Sequence, residues 1–260
     1  MSGSVTSPSA EGARIYENDR SVAEYLEFHY GPRHLDVPNF PSACAEAAIA
    51  ALELSGHAGR GRALDVGCAV GRSAFELARS FVQVDAIDFS HRFVEAGSRL
   101  ASGERLAYDI PTEGLLSLHR TASLADLRLD GTAPRVQFAQ GDACALADGL
   151  THYDLVLAAN LIDRLHDPSL FLARIADRVV PGGLLAITSP YTWLETYTPP
   201  DKWLGGRVVD GRPVGSLEGL TAALEPGFER IDRRDIPFVI RETARKHQHT
   251  VAEFTAWRRR

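Results

Sequence analysis

ALDVGCAVGRSAFELA, residues 63–78, decides the fold. A short apolar run ends in Asp65-Val66. The chain then turns through Gly67-Cys68-Ala69-Val70-Gly71 and continues with Phe75, Leu77 and Ala78 on one helical face and Arg72 and Glu76 off it. This is a strand, a glycine turn and a helix start. Glycine suits such a turn because it adopts positive φ and lets a ligand approach the backbone, and the helix start beyond it offers unpaired N–H groups. The spacing narrows the ligand. A dinucleotide fingerprint needs G-x-G-x-x-G and a phosphate-cradling loop needs Gly-Lys-Ser/Thr; here the glycines stand as G-x-x-x-G, followed by Arg72-Ser73.

Working outward, 260 residues suit one α/β domain with additions. The expected layout is a disordered tail over residues 1–13 and one domain over 14–260, with N-terminal cap helices at 14–57 and an insertion at 101–134. The net charge of −6 gives no basis for nucleic-acid binding driven by phosphate contacts. Cys44, Cys68 and Cys144 are too scattered for a disulfide framework. The histidines form no H-x-x-x-H or H-E-x-x-H pattern, so no metal site is expected. No apolar run approaches the ~20 residues of a membrane span. The tail lacks an apolar signal core, and a cytoplasmic protein without membrane partners follows as the expectation.

Two helices precede the glycine turn. Val22, Tyr25, Leu26 and Tyr30 recur at helical spacing, with Asn18 or Asp19 as cap and Gly31-Pro32 as stop. A second, alanine-rich helix is expected to start at Ser42. The pair reads either as a cap over a ligand or as a packing layer. After the first unit, Val82, Val84, Ala86 and Ile87 read as a buried parallel strand ending at Asp88. Asp88 lies about 20 residues past Gly67, where an acidic side chain can accept both hydroxyls of a ribose; a cap for the helix near His91 is the other reading, and the glycine turn favours the ribose. Leu106–Ile110 resembles a strand, but the rest of the insertion has no legible pattern.

The alternation resumes with Val136–Gln140 and Gly141-Asp142-Ala143, where an acidic side chain and the next N–H can read an adenine edge; a loop Asp capping a turn is the other reading. Asp154–Ala159 is a fourth strand with Asn160 at its carboxyl end, where ligands bind in open α/β sheets. Ser169 is a candidate cap for the following helix. Pro181-Gly182-Gly183 turns into a fifth strand, Phe228–Asp235 is a sixth and His249–Trp257 a seventh. The aromatic-rich loop holding Tyr191, Trp193, Tyr197 and Trp203 reads as a lid.

Taken together, D-x-G-x-x-x-G, Asp88, Gly141-Asp142, Asn160 and Pro181-Gly182-Gly183 resemble the class I S-adenosylmethionine-dependent methyltransferases. The resemblance implies a Rossmann-like α/β fold: a seven-stranded, mostly parallel sheet with helices on both faces. It implies S-adenosylmethionine as cofactor and S-adenosylhomocysteine as product, held by Asp65, Gly67, Cys68, Ala69, Gly71, Asp88, Phe89, Asp142, Ala143, Asn160 and Tyr30. A narrower resemblance lies in IYENDRSVAEYLEFHYG, LAANLIDRLHDP, ITSPYTWLETYTPPDKWLGG and PFVIRETARKHQHTVAEFTAW. These strings look like the mercaptohistidine N-methyltransferase family of ovothiol biosynthesis.

That narrower family implies methyl transfer to a ring nitrogen of 5-thiohistidine (4-mercaptohistidine) by a stand-alone enzyme, monomer or homodimer. Asn160 is the expected catalytic residue, orienting the ring or ammonium through its carbonyl. Tyr16, Tyr30, Tyr191 and Trp193 would enclose the substrate, Arg241 its carboxylate and Glu242 its ammonium; for the last two, a solvated hairpin explains the charge equally well. Transfer to another small amino acid or carboxylic acid is the alternative. A catalytically silent cofactor-binding scaffold and a nucleotide-dependent oxidoreductase are the readings from other classes.

Overall fold

The computed structural model describes residues 16–260, so the expected tail lies outside the described residues. Helices α1 (Asp19–Tyr30) and α2 (Phe40–Leu54) lead into β1 (Arg62–Val66), α3 (Arg72–Leu77), β2 (Gln83–Asp88) and α4 (His91–Ala101). A hairpin, β3 (Leu106–Glu113) and β4 (Leu116–Ala122), intervenes before β5 (Val136–Gln140), β6 (Tyr153–Ala159), α5 (Pro168–Ile175) and β7 (Val179–Ser189). A small hairpin, β8 (Arg207–Val209) and β9 (Arg212–Val214), precedes α6 (Ser216–Leu224) and the long strands β10 (Phe228–Arg241) and β11 (His247–Arg259).

Seven strands form one sheet in the order β10-β11-β7-β6-β1-β2-β5. Pairings from β5 through β7 are parallel, and β11 enters antiparallel between β7 and β10. This is a Rossmann-like class I methyltransferase fold. Its two faces carry two cores. Leu155 and Leu157 of β6 face a core shared with α1, α2, α3, α4 and the β3–β4 hairpin. Val156 and Ala158 face the other way, onto α5 and α6. Period-two alternation with apolar residues on both sides is what a parallel sheet covered on both faces requires.

Several local expectations change. Val82 is 73% exposed and precedes β2, its N–H bonded to the Arg60 carbonyl, so β2 is buried from Val84 inward. Asn39, not Ser42, caps α2; its side chain accepts the Ser42 N–H and its amide reaches back to the carbonyls of Phe28 and His29. Asp167, not Ser169, caps α5. Ser90 caps α4, leaving Asp88 for other partners. Pro181-Gly182-Gly183 lies within β7, where the register against β6 shifts between Tyr153 and Leu155. The two terminal strands run longer than their apolar runs because they pair with each other from Phe228↔Arg259 to Arg241↔His247. Tyr108, Leu106 and Ile110 of the insertion alternate inward, while Leu115 and Leu116 at its turn are exposed.

Among the described residues no helix is long and apolar enough to cross a membrane. Trp257 is fully buried in the second core, its indole N–H donating to Thr255 Oγ1 at 2.9 Å. Trp257→Ala should lower stability by about 3–5 kcal/mol, read as a fall in the denaturant midpoint at unchanged slope. A loss below about 1 kcal/mol would contradict this packing.

Candidate active site

The turn after β1 is fixed by bonds to the neighbouring strand. Gly67 and Cys68 both donate to the Ile87 carbonyl, at 2.7 and 3.1 Å. Ala69 adopts a left-handed conformation, φ 47°, and its N–H donates to Asp88 Oδ2 at 2.8 Å. A non-glycine residue held at positive φ stores strain that its surroundings must offset. Gly67 has φ 74°, and a Cβ there would meet Leu161 Cδ1 at 2.8 Å. Gly71 also has positive φ, and its missing side chain admits the Phe138 ring.

The end of α1 grips this turn from behind. The Tyr30 hydroxyl donates to the Val70 carbonyl at 2.7 Å, and His29 Nδ1 accepts the Arg72 N–H at 3.3 Å. The first N–H of α3 is therefore engaged by the protein itself. Asp65 is buried below the turn; its Oδ2 accepts the Ser73 hydroxyl at 2.6 Å, while Oδ1 has no hydrogen-bond partner among the described residues.

A cleft of about 520 Å³ opens at the carboxyl ends of β1, β2, β5 and β6, the size of a site for a cofactor and a small molecule. Gly67, Cys68, Ala69, Asp88 and Phe89 line one half, with Asp142 and Ala143 beside them. Asp88 Oδ1 accepts the Ser90 N–H at 2.9 Å, and Asp142 Oδ1 the Cys144 N–H at 2.8 Å. Each carboxylate oxygen carries a further lone-pair site, so both remain able to accept from a ligand.

Aromatic rings also line the cleft: Tyr16, Tyr25 and Phe93 near Ser90, and Phe28, Phe40 and Phe238. Tyr16 meets Tyr25 edge-on at 5.9 Å, and its hydroxyl donates to that of Tyr197 at 3.4 Å. Tyr197 lies under the Arg164 guanidinium, 5.0 Å from its ring centre. Asn160 lines the cleft with φ 50°. Its N–H bonds the Thr188 carbonyl, and its Oδ1 accepts the Thr188 hydroxyl at 3.1 Å. The carbonyl oxygen keeps a second lone-pair site, as expected for a group that orients a ligand, and the amide NH2 can donate as well.

Burial governs the titrating groups. It pushes Asp88 up to about 6 and Asp65 up to about 7. It pushes His29 down to about 3, helped by the Arg72 guanidinium. His29 is thus neutral at physiological pH, with Nδ1 as the acceptor and the proton on Nε2.

The structure brings together Gly67, Cys68, Ala69, Asp88, Phe89, Asp142, Ala143, Asn160 and Tyr16 around this cleft. It places Asp65, Gly71 and Tyr30 behind the turn as supports. Tyr191 donates to Glu253 Oε2 at 2.8 Å, and Trp193 donates to Ser216 Oγ at 2.8 Å while stacking on Trp203; both lie outside the cleft lining. Arg241 lines a smaller cavity next to the cleft. Glu242 is held by Lys246 and Gln248 in the β10–β11 turn and is no free partner for an ammonium. Sequence reasoning missed Phe28, Phe40, Phe238 and Arg164 as lining residues, while Tyr197 of the aromatic-rich loop does line the cleft. The first two sit on apolar helical faces that read as core, and only the tertiary fold turns them toward a cavity. Among the described residues no group of three or more His, Cys, Asp or Glu could hold a metal ion.

If Tyr30 is a support, Tyr30→Phe should reduce stability by about 1 kcal/mol, since the buried Val70 carbonyl loses its donor. Thermal denaturation checks this; an unchanged midpoint would remove the hydroxyl from that role.

Comparison with known proteins agrees with this geometry. Residues 41–218 match a family profile described as a methyltransferase domain. A ubiquinone biosynthesis O-methyltransferase of Caulobacter sp. (strain K31) is 26% identical over 165 residues, 62% of this chain and 54% of that protein. One from Azorhizobium caulinodans is 33% identical over 66 residues, 25% of this chain and 26% of that protein. The chain thus spans about half the length, or less, of these curated relatives. Among solved structures, magnesium protoporphyrin IX methyltransferase from Synechocystis PCC 6803 with bound S-adenosylmethionine aligns over 100% of both chains at 12% identity, TM-score 0.58. The [4+2]-cyclase SpnF aligns over 96% of both at 18% identity, TM-score 0.59. N-methyltransferase NodS from Bradyrhizobium japonicum, in complex with S-adenosylhomocysteine, aligns over 92% of this chain and 98% of its own at 16% identity, TM-score 0.51. At these identities the structures speak to the fold alone, and SpnF carries a different chemistry on it. The family profile covers more than half of the sequence and coincides with the glycine turn, Asp88, Asp142 and Asn160: the chain belongs to the methyltransferase domain family.

Proposed function

We propose that this protein transfers a methyl group from S-adenosylmethionine to an imidazole ring nitrogen of 5-thiohistidine, giving ovothiol A. S-adenosylmethionine is the cofactor: its sulfonium supplies an electrophilic methyl group and it leaves as S-adenosylhomocysteine. The residues present fit it. Gly67 keeps the turn open where a side chain would collide, Asp88 can accept the ribose hydroxyls, and Asp142 with Ala143 can take the adenine edge.

One observation carries the acceptor assignment. The cleft is lined by aromatic rings, and its buried imidazole, His29, is pushed down to about 3. Such a histidine is a poor general base. That environment suits a flat acceptor whose attacking atom already presents a lone pair, as an imidazole nitrogen does. The residues then work by positioning, which is the larger part of an in-line displacement. The aromatic rings that line the cleft, Phe28 and Phe238 among them, give the imidazole a flat apolar surface to lie against. The Asn160 amide donates to the substrate sulfur and holds that competing nucleophile away from the methyl group. Arg164 and Tyr197 close the rim.

Mass spectrometry of the purified protein incubated with S-adenosylmethionine and either 5-thiohistidine or histidine tests the assignment. Methylation of 5-thiohistidine in strong preference to histidine is expected. Inertness toward 5-thiohistidine, with turnover of another small amino or carboxylic acid, would replace it.

The cofactor half makes a separate prediction. Asp88 accepts hydroxyls best when ionised, and burial holds its pKa near 6. Calorimetric Kd for S-adenosylhomocysteine should be flat above about pH 7 and rise up to ~10-fold per pH unit below about pH 6. Asp88→Asn should weaken binding at pH 8 by ~10–100-fold, a loss of ~1–3 kcal/mol, and abolish the pH dependence. Wild-type affinity in the folded variant would remove Asp88 from the ribose site.

A further inference from the structure

Next to the cleft lies a second, much smaller cavity of about 30 Å³, between α1, the 31–39 connection and the end of β10. Glu24, Phe28, Phe40 and Ile240 line both spaces, so the small cavity abuts the cleft beside these residues. Glu27, His34, Asn39 and Arg241 complete its wall.

Two polar atoms here have no hydrogen-bond partner among the described residues: Glu27 Oε1 and His34 Nε2. They stand 3.5 Å apart. Glu27 is only 5% exposed, and its other oxygen accepts the Tyr108 hydroxyl at 2.9 Å. A buried carboxylate oxygen left without a donor is costly, and such groups are rarely orphaned in folded proteins. The His34 ring packs on His247, 5.0 Å between centres, and burial lowers its pKa against the pull of Glu27. The cavity holds about one water-sized group. A primary ammonium has that size and can donate both to the Glu27 carboxylate and to the unprotonated ring nitrogen of a neutral imidazole.

We propose that this cavity is the socket for the α-ammonium of an amino-acid substrate, with Glu27 as its anionic partner and Arg241 at the rim receiving the α-carboxylate. The assignment rests on the thiohistidine reading of the cleft. It also moves the ammonium partner from Glu242, which Lys246 and Gln248 occupy, to Glu27. The insertion gains a role: the β3 residue Tyr108 fixes the Glu27 carboxylate so that Oε1 stays open.

The test compares 5-thiohistidine with its des-amino analogue, which keeps ring and carboxylate but lacks the amine, in the wild type, Glu27→Gln and Tyr108→Phe. The wild type should use the amino acid with a KM at least tenfold below that of the analogue. Glu27→Gln should raise KM for 5-thiohistidine tenfold or more, keep KM for the analogue within twofold and leave S-adenosylhomocysteine affinity unchanged. Tyr108→Phe, which keeps the carboxylate, should retain the preference for the amino acid. Equal use of both compounds by the wild type, or an equal loss on both in Glu27→Gln, would overturn the socket while leaving the acceptor assignment standing. Turnover of neither compound by the wild type would overturn the acceptor assignment, and the socket with it. A preference lost in Tyr108→Phe to the same extent as in Glu27→Gln would show that the loss follows the contact between α1 and the hairpin rather than the carboxylate, and would overturn the socket.

Discussion

The left-handed turn at Ala69, tied by its N–H to the carboxylate of Asp88, is the constraint on which the rest of the site depends. It joins two adjacent parallel strands at their carboxyl ends. The turn cannot relax while Asp88 holds it, and Asp88 cannot rotate away while Ala69 and Ser90 both donate to it. The residue proposed to read a ribose therefore also shapes the loop beside it. Burial raises the pKa of Asp88 and of Asp65 beneath the turn. Folded-state pKa values above the ordinary ~4 mean that the folded form binds more protons between pH 4 and pH 6–7, so these groups contribute stability that is lost as pH rises through that window. A ligand that donates hydrogen bonds to them offsets that loss, which links occupancy of the cleft to the rigidity of its floor.

The N-terminal helix α1 meets this turn with its last residues and the substrate half with its inner face. Tyr30 and His29 anchor Val70 and Arg72, while Tyr25 and Phe28 wall the cleft and Glu27 turns its carboxylate toward the adjoining cavity. Cap and packing layer were the two sequence readings of this helix, and the structure gives it both roles. The helix thereby couples the two halves: a shift that moves its aromatic face also loosens the bonds to the turn. The hairpin of the insertion supports α1 from outside through Tyr108, whose hydroxyl donates to Glu27.

Much of this was readable in the sequence, for a physical reason. A parallel sheet covered on both faces enforces apolar strands at regular intervals, and turns at their carboxyl ends need small or acidic residues; Gly67, Asp88, Asp142 and Asn160 announce themselves that way. The caps misread at Ser42 and Ser169 lost to Asn39 and Asp167, equally good acceptors a few residues earlier. The insertion stayed opaque because Tyr108 and its neighbours alternate against a helix 80 residues away. The substrate half was least legible. Phe28, Phe40 and Phe238 are indistinguishable from core residues until α1, α2 and β10 are brought together, and Tyr191 and Trp193, aromatic and loop-borne, instead close hydrogen bonds with Glu253 and Ser216.

The central claim is that the cleft directs a methyl group to nitrogen in the presence of a better nucleophile, sulfur. Carbon-13 NMR of the product formed from methyl-labelled S-adenosylmethionine and 5-thiohistidine tests it most directly, because N-methyl and S-methyl carbons resonate in separate regions. The account predicts a single labelled N-methyl resonance. A labelled S-methyl resonance as the main product would contradict it.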